Sequence, residues 1–277
     1  MPYLSRIIIY PIKSLDGVAV PNATVLQSGA LQNDRQFAIF DQQNQWVNGK
    51  RNAKIHLLRT SFDLEANTVC LQVQESEQQQ VFHLNKERAS LENWLSEYFG
   101  FPVKLQQNSI SGFPDDTEAS GPTVISTATL ETVAAWFPGV EAKGQSSATD
   151  EMQQRLRANL EIAGVPAFWE DQLFAEAGNI VQFQIGSIRF EGINPCQRCI
   201  VPTRNSLTGE VYPQFQKLFV EKRQETLPSW APISRFNHYF RLSVNTCIPK
   251  SEAGKILQVG DEVKILGIQM LSNSGGN

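Results

Sequence analysis

Residues 185–210 read IGSIRFEGINPCQRCIVPTRNSLTGE, and this stretch decides how the rest of the chain is interpreted. The apolar runs Val181–Phe183 and Ser187–Phe190 lie on either side of Gly186, a pattern typical of two short strands around a turn. The second strand leads directly into Asn194-Pro195 and the motif Cys196-x-x-Cys199. The sequence therefore predicts a pair of thiols at the end of a strand.

The spacing of Cys196 and Cys199 suits three kinds of chemistry and one structural role. A structural zinc ion needs four ligands, but no second cysteine pair or paired histidine motif accompanies this one. A redox couple of the thioredoxin type requires the pair at a helix N-terminus, whereas Ile200-Val201-Pro202 follows here. The third chemistry is one thiolate bound to a soft metal, and the structural role is packing of two small apolar side chains.

Arg198 lies between the two cysteines and Arg204 follows soon after. Positive charge favours the thiolate form of a cysteine, whereas a pair that only packs in a core needs no arginines. This observation weighs against simple packing and leaves the other roles open.

Basic residues recur in the predicted loops although the whole chain is slightly acidic. It has 24 Lys and Arg against 28 Asp and Glu, a formal net charge of −4, so general attraction to nucleic acid is not expected. An anionic ligand must instead meet a local cluster of bases. Phosphate suits such clusters because it accepts paired bonds from Arg and the point charge of Lys, although each base alone is also compatible with a solvated surface. The clusters are Lys13-Ser14, Arg35 after Asn33-Asp34, Lys50-Arg51, and Arg155 and Arg157 before Asn159.

Length and composition exclude several classes of protein. The 277 residues are 41% hydrophobic and 19% charged, enough to bury a large core, and four cysteines are too few for a disulfide framework. The early apolar run is too short for a signal peptide or a membrane span, so a soluble, cytoplasmic protein is expected. The glycine motifs of P-loops, dinucleotide folds and α/β-hydrolases are absent. The acidic pairs Asp115-Asp116 and Glu170-Asp171 are expected to form turns or helix caps.

The first hundred residues alternate in the manner of short strands and close with a predicted helix over Ser90–Phe99, followed by Gly100. The turn-rich stretch Gln106–Pro122 then marks a domain boundary. We expect domains over residues 1–118 and 119–268, and a flexible tail over 269–277.

Read together, these segments resemble the MOSC family. YPIKSLDGV (10–18) and GALQNDRQFAIFD (29–41) resemble its N-terminal β-barrel domain, and RLRANLEIAG (155–164), the cysteine stretch and GKILQVGDEVKIL (254–266) resemble the MOSC domain itself. The resemblance implies a mainly β chain with helices (α+β), built from these two β-barrel domains. The layout is similar to that of the mitochondrial amidoxime reducing component and its bacterial counterparts, which reduce N-hydroxylated compounds.

The resemblance also implies a molybdenum cofactor and assigns residues to it. The second cysteine of the motif, Cys199, matches the molybdenum ligand and catalytic residue, and Asn33 replaces a glycine of the family pattern while tolerating the same turn. Leu156 and Ala158 replace Phe and Pro of the R-F-R-P-N element, whose polar positions are kept. The residues expected to bind the cofactor are Lys13, Ser14, Arg35, Ser126, Arg155, Arg157, Asn159, Cys196, Arg198 and Tyr239.

Two functions follow from the resemblance. The first is a molybdenum cofactor (Mo-molybdopterin) dependent oxidoreductase that takes oxygen from a small N-hydroxylated substrate, without binding nucleic acid or a membrane. No cysteine set for a built-in iron–sulfur cluster is present, so a separate ferredoxin, flavodoxin or cytochrome b5-like protein with its reductase is expected to supply electrons. The second is a non-catalytic module that binds the cofactor or carries sulfur as a persulfide. At the level of the family, the resemblance also implies pyridoxal phosphate binding.

Overall fold

The computed structural model describes residues 1–140 and 147–270. The described residues form fifteen strands and four α-helices. The strands are β1 (Tyr3–Ile9), β2 (Val18–Val20), β3 (Asn22–Thr24), β4 (Phe37–Asp41), β5 (Leu58–Asp63), β6 (Thr68–Val73), β7 (Gln79–His83), β8 (Val103–Gln107), β9 (Val124–Ser126), β10 (Leu160–Ala163), β11 (Asn179–Ile185), β12 (Ile188–Gln197), β13 (Arg241–Cys247), β14 (Ile256–Gln258) and β15 (Val263–Met270). The helices are α1 (Arg88–Phe99), α2 (Thr127–Ala135), α3 (Ala148–Leu156) and α4 (Phe215–Glu225). Short 3-10 helices include Trp169–Leu173 and Val201–Thr203.

Eight strands form one sheet in the order β15-β11-β12-β13-β9-β10-β1-β2. β11 and β12 form the predicted hairpin, and β12 ends at Gln197, so the cysteine pair lies at a strand end as predicted. The largest hydrophobic core packs on this sheet and contains the stacked rings of Phe183 and Phe190, 5.1 Å apart. This sheet supports the segment that carries both thiols.

A second core is built from residues between Ile12 and Leu105. Here β4 pairs with β8, and β5, β6 and β7 form a three-stranded antiparallel sheet. Helix α1 buries Leu91 and Leu95 and ends at Gly100, which adopts the left-handed φ of 83°. The prediction of a β-rich first hundred residues closed by a helix is therefore confirmed.

A third core joins α2, α3 and α4. The rings of Phe137 and Phe215 stack at 4.0 Å within it. Met152 and Leu156 of α3 are buried in this core, which fixes the end of the helix. Arg157 directly follows that end. Among the described residues, no helix has the length and apolar character needed to cross a bilayer.

The predicted division at residue 118 does not separate the sheets. β1 lies antiparallel to β10, with Ile7 opposite Leu160, and β3 pairs with β14. The two strands on either side of Gly260-Asp261 do not pair with each other, because β14 joins β3 while β15 joins β11. Gln269 and Met270, predicted as tail, extend β15 because their backbones pair with β11; residues 271–277 lie outside the described part.

Buried charges link α4 to the large sheet. The Arg223 side chain is fully buried between the rings of Phe168 and Phe236, and its Nη2 lies 2.5 Å from an Asp171 carboxylate oxygen. Glu170 is also fully buried; Thr129 donates to one of its oxygens, and the other has no hydrogen-bond partner. Burial, aided by the charge of Asp171, raises the pKa of Glu170 to about 7. The acidic pair was predicted to form a turn or a helix cap. In the structure both carboxylates are buried, and Asp171 pairs with Arg223.

We expect Glu170→Gln to stabilise the protein above neutral pH and to have little effect in acid. Below the ordinary pKa of a glutamate, Glu170 is protonated in both the folded and the unfolded state, so the raised pKa has no effect on stability. As the pH rises from there towards about 7, ionisation favours the unfolded state, and the folded state loses stability. Removing the charge should recover up to about 3 kcal/mol at about pH 8. Urea unfolding at about pH 5 and about pH 8 measures this difference; equal pH slopes in the variant and the parent would contradict it.

Candidate active site in a basic cavity

A cavity of about 1260 Å³ lies where the N-terminal segments meet the large sheet. Its lining includes the loop after β1, the loop around Arg35, the end of α3, the end of β12, and residues from the stretch between β8 and β9. The structure brings together eight of the predicted site residues in this lining. They are Lys13, Ser14, Arg35, Arg155, Arg157, Cys196, Arg198 and Cys199.

The cavity is strongly basic, unlike the whole chain. Its described lining contains nine arginines and two lysines but only four aspartates. Low-dielectric walls reduce the screening of these charges, so an anion is favoured here far more than over the general surface.

Three of the predicted site residues have left-handed backbone. The φ angles are 75° at Ser14, 48° at Arg35 and 55° at Arg157. Such conformations are uncommon for residues other than glycine, and they cluster at functional sites where surrounding structure holds them. Asn33 also has a positive φ, of 67°, which confirms that it supports the turn in place of a glycine.

Arg157 supplies a positive charge that no carboxylate pairs with in the described structure. Its Nη2 donates to the Leu15 carbonyl at 2.7 Å, and its guanidinium carbon lies 4.2 Å from the centre of the Tyr10 ring. Burial lowers the pKa of Arg157, because charge is costly where water is excluded. An anionic ligand would offset this cost, so Arg157 is a candidate anion-binding group of the cavity.

Arg155, two residues earlier, is already neutralised. Its Nε lies 2.6 Å from a carboxylate oxygen of Glu151, and both side chains are almost fully buried. Glu151 also accepts hydrogen bonds from the backbone and hydroxyl of Ser206. This network fixes α3 against the segment after the cysteines, so the role of Arg155 here is structural.

These two arginines should therefore respond differently to substitution. We expect Arg155→Met to destabilise the fold by about 3–5 kcal/mol, because it leaves the buried Glu151 carboxylate without a positively charged partner. Arg157→Asn, which tolerates the left-handed turn, should keep stability within about 1 kcal/mol and lower anion binding by about tenfold or more. Denaturant unfolding and phosphate titration separate the two effects; equal stability losses would contradict the assignment.

Lys13 is buried in the wall of the cavity and forms an ion pair with an acidic side chain. Its Nζ lies 2.6 Å from Asp115 and donates to the Phe113 carbonyl at 2.9 Å. The Asp115 side chain is exposed to the cavity, although protein lies around it. The nearby protein raises the pKa of Asp115, but the charges of Lys13 and Arg35 outweigh this effect and lower the pKa to about 2. The carboxylate is thus ionised at neutral pH and neutralises Lys13.

Arg35 is positioned by polar side chains around it. Its Nη1 lies 2.5 Å from a carboxylate oxygen of Asp34 and also donates to the Asn159 side-chain oxygen at 3.2 Å. Asn159 is itself fully buried and donates to the Ile8 carbonyl. Asn159, predicted as a cofactor contact, therefore holds Arg35 and β1 in place and does not line the cavity.

At the thiol end, Arg198 connects Cys196 to the end of α3. Its Nη1 lies 3.3 Å from the Cys196 sulfur and 3.4 Å from the Ser243 hydroxyl, and its Nη2 donates to the Leu156 carbonyl. The Nε of Arg198 is buried without a partner. Cys199 lies two residues beyond the end of β12, is half-buried and also lines the cavity.

No zinc-type ligand set surrounds these thiols. Within residues 1–140 and 147–270, no three His, Cys, Asp or Glu side chains lie close enough together to hold a metal ion.

The structure does not place Ser126 or Tyr239 in the cavity. Ser126 is fully buried and caps α2, accepting a hydrogen bond from the backbone of Thr129. Tyr239 stacks on Phe236 at 5.9 Å and packs on the large core. The position of Ser126 directly before a helix is a capping signal.

Sequence reasoning missed other residues that line the cavity. The Tyr10 ring supports both Arg157 and Arg35 and was visible only as part of the YPIKS motif. Arg235 and Arg241 lie about forty residues after the cysteines, and no local pattern links them to the thiols. Pairing of β13 with β12, which places Gln197 opposite Arg241, brings Arg241 there. Arg235 is held by the carbonyls of Ala175 and Ile193.

The fold and this cavity define a mainly β protein with a basic cavity that two cysteines line. The sequence profile of the MOSC N-terminal beta barrel domain matches residues 1–110, and that of the MOSC domain matches residues 123–264. The chain therefore belongs to the MOSC family. Both the resemblance and the fold class predicted from sequence are confirmed.

Curated relatives include three molybdenum cofactor sulfurases. The protein of Homo sapiens is 24% identical over 78% of this chain and 28% of its own length. That of Drosophila grimshawi is 25% identical over 96% and 35%, and that of Drosophila mojavensis is 27% identical over 77% and 29%. The chain thus spans roughly a third of the length of these relatives.

Proposed function

We propose that this chain is a molybdenum cofactor-dependent oxidoreductase that reduces N-hydroxylated compounds, with Cys199 as the metal ligand. One observation carries the proposal: unneutralised positive charge and a thiol, contributed by distant parts of the chain, line the same cavity. A pterin cofactor with a phosphate and a soft metal requires both features. The similarity to proteins named molybdenum cofactor sulfurases supports the link to this cofactor.

The chemistry of the donor set fits the cofactor. Lys13, Arg35 and Arg157 would hold its phosphate, since Arg157 lacks an anionic partner in the described structure and Asp115 shows where Lys13 accepts one. The thiol of Cys199 fits a metal whose other ligands come from the pterin. When bound, this group supplies two-electron oxygen-atom transfer.

The protein's own residues position the reactants. Arg198 holds the end of β12 against α3 and donates to the sulfur of Cys196, so the loop that carries Cys199 has a fixed geometry. Hydrogen bonds around a metal ligand set its orientation and tune the metal. A separate electron-transfer protein would return the electrons that the substrate consumes.

Sulfur transfer is the second candidate function. The relatives named sulfurases favour it, since a cysteine that carries a persulfide would also need an accessible thiol in a positive environment. In that case Cys199 would bear sulfur in the absence of metal.

Metal analysis and turnover distinguish the two functions. Protein from cofactor-producing cells should contain molybdenum, show an electron paramagnetic resonance signal on partial reduction, and convert an aromatic amidoxime to the amidine with reduced viologen. Protein from a strain unable to make the cofactor is the control. Metal-free protein that releases thiocyanate with cyanide would support sulfur transfer and overturn the reductase.

A further inference from the structure

Two arginines of the cavity lie outside the proposed cofactor contacts. Arg235 donates to the carbonyls of Ala175 and Ile193, and Arg241 donates to the carbonyl of Pro195. The carbonyls of Ile193 and Pro195 belong to β12, two residues apart, and Pro195 directly precedes Cys196. Both guanidinium groups are therefore anchored beside the strand that leads to the thiols.

Neither arginine forms an ion pair with a described residue. The nearest charge of opposite sign to Arg235 comes from Glu176, whose carboxylate accepts a hydrogen bond from Ser234. Arg241 is held by the neutral oxygen of Asn237. Burial lowers the pKa of both arginines, and the charge of Arg241 lowers that of Arg235 further. Two like charges are thus kept close together, and neither has an ion-pair partner among the described residues.

Both arginines keep donors available to a ligand. A guanidinium has five N–H groups; Arg235 uses one on each terminal nitrogen, and Arg241 uses its Nε–H and one on each terminal nitrogen. The remaining donors and the two positive charges match a phosphate monoester, which carries a charge of about −1.5 to −2 at neutral pH. A carboxylate, with a single negative charge, would neutralise only one of the two arginines.

We infer that Arg235 and Arg241 form a second anion subsite, which binds a phosphate monoester on the substrate beside the thiols. The inference rests on the proposed reductase for its use in turnover: the preferred substrates are phosphorylated N-hydroxylated compounds. The anion site itself stands on the two arginines alone.

Fluorine NMR with 4-fluorophenyl phosphate tests the subsite on metal-free protein. All variants carry Arg157→Asn, so that binding at the other phosphate site is weakened. Adding Arg235→Met and Arg241→Met should weaken probe binding by about tenfold or more. Arg51→Met, which removes an exposed arginine that donates to Gln45 outside the cavity, is the control for loss of a surface charge and should leave probe binding unchanged. Unchanged affinity in the Arg235 and Arg241 variant would overturn the inference.

Asn237→Asp tests the same site without removing the backbone anchors. The new carboxylate replaces the neutral acceptor of Arg241 and should also weaken probe binding by about tenfold. It should reduce the ratio of kcat/KM for a phosphorylated N-hydroxylated substrate over its unphosphorylated counterpart by a similar factor. Probe binding through these arginines without any molybdenum-dependent turnover would contradict the proposed reductase and leave the subsite established; a substrate ratio that Asn237→Asp does not alter would overturn the subsite's role in selection.

Discussion

Cys199→Ser should abolish molybdenum-dependent reduction of an N-hydroxylated substrate, whereas Cys196→Ser should lower it by about tenfold. Cys199 lies beyond the end of β12 with its thiol in the cavity, and a hydroxyl is a poor substitute for a soft thiolate ligand. Cys196 accepts a hydrogen bond from Arg198, which a serine oxygen can also accept. The pair is thus expected to divide into one ligand and one supporting residue.

Steady-state rates and molybdenum content of the two variants measure this difference. Cys70→Ser serves as the control, because this thiol lies on β6 and does not line the cavity. Full activity of Cys199→Ser, or equal loss in both motif variants, would contradict the assignment. Retained pterin in Cys199→Ser with loss of activity would further separate phosphate binding by Lys13 and Arg157 from metal ligation.

Local patterns predicted the elements of this fold better than their pairing. The hairpin before the cysteines, the helix ending at Gly100 and the turn at Asn33 all depend on residues within a few positions of one another. Pairing of β1 with β10 joins residues about 150 positions apart, and no local signal encodes it. Local composition therefore cannot predict that strands from both sides of residue 118 share one sheet.

For the candidate site, as for the fold, the sequence predicted some features and missed others. The resemblance brought Lys13, Arg35, Arg157 and Cys199 together correctly, because the motifs keep their order along the chain. Residue type alone does not distinguish Arg155 from Arg157: one is paired with Glu151 and the other is not, and that difference depends on the direction in which α3 ends.

Gly192→Ala should destabilise the protein by more than about 3 kcal/mol. Gly192 lies in β12, where the pairing register with β13 shifts, and a Cβ atom there would lie 1.5 Å from the carbonyl oxygen of Leu173. Leu173 is fully buried in the largest core and ends the 3-10 helix Trp169–Leu173. Because the clash is with backbone, no change of side-chain rotamer relieves it, and either the helix or the strand must move.

Gly178→Ala is the matched control for this prediction. A Cβ at Gly178 meets no atom within 4 Å, so its cost comes only from the positive φ of 87° and should be about 1 kcal/mol. Urea unfolding compares the two variants, and equal losses would show that the helix does not approach β12 this closely. Because Gly192 precedes Cys196 on the same strand, its variant should also reduce molybdenum content, whereas Gly178→Ala should leave it unchanged.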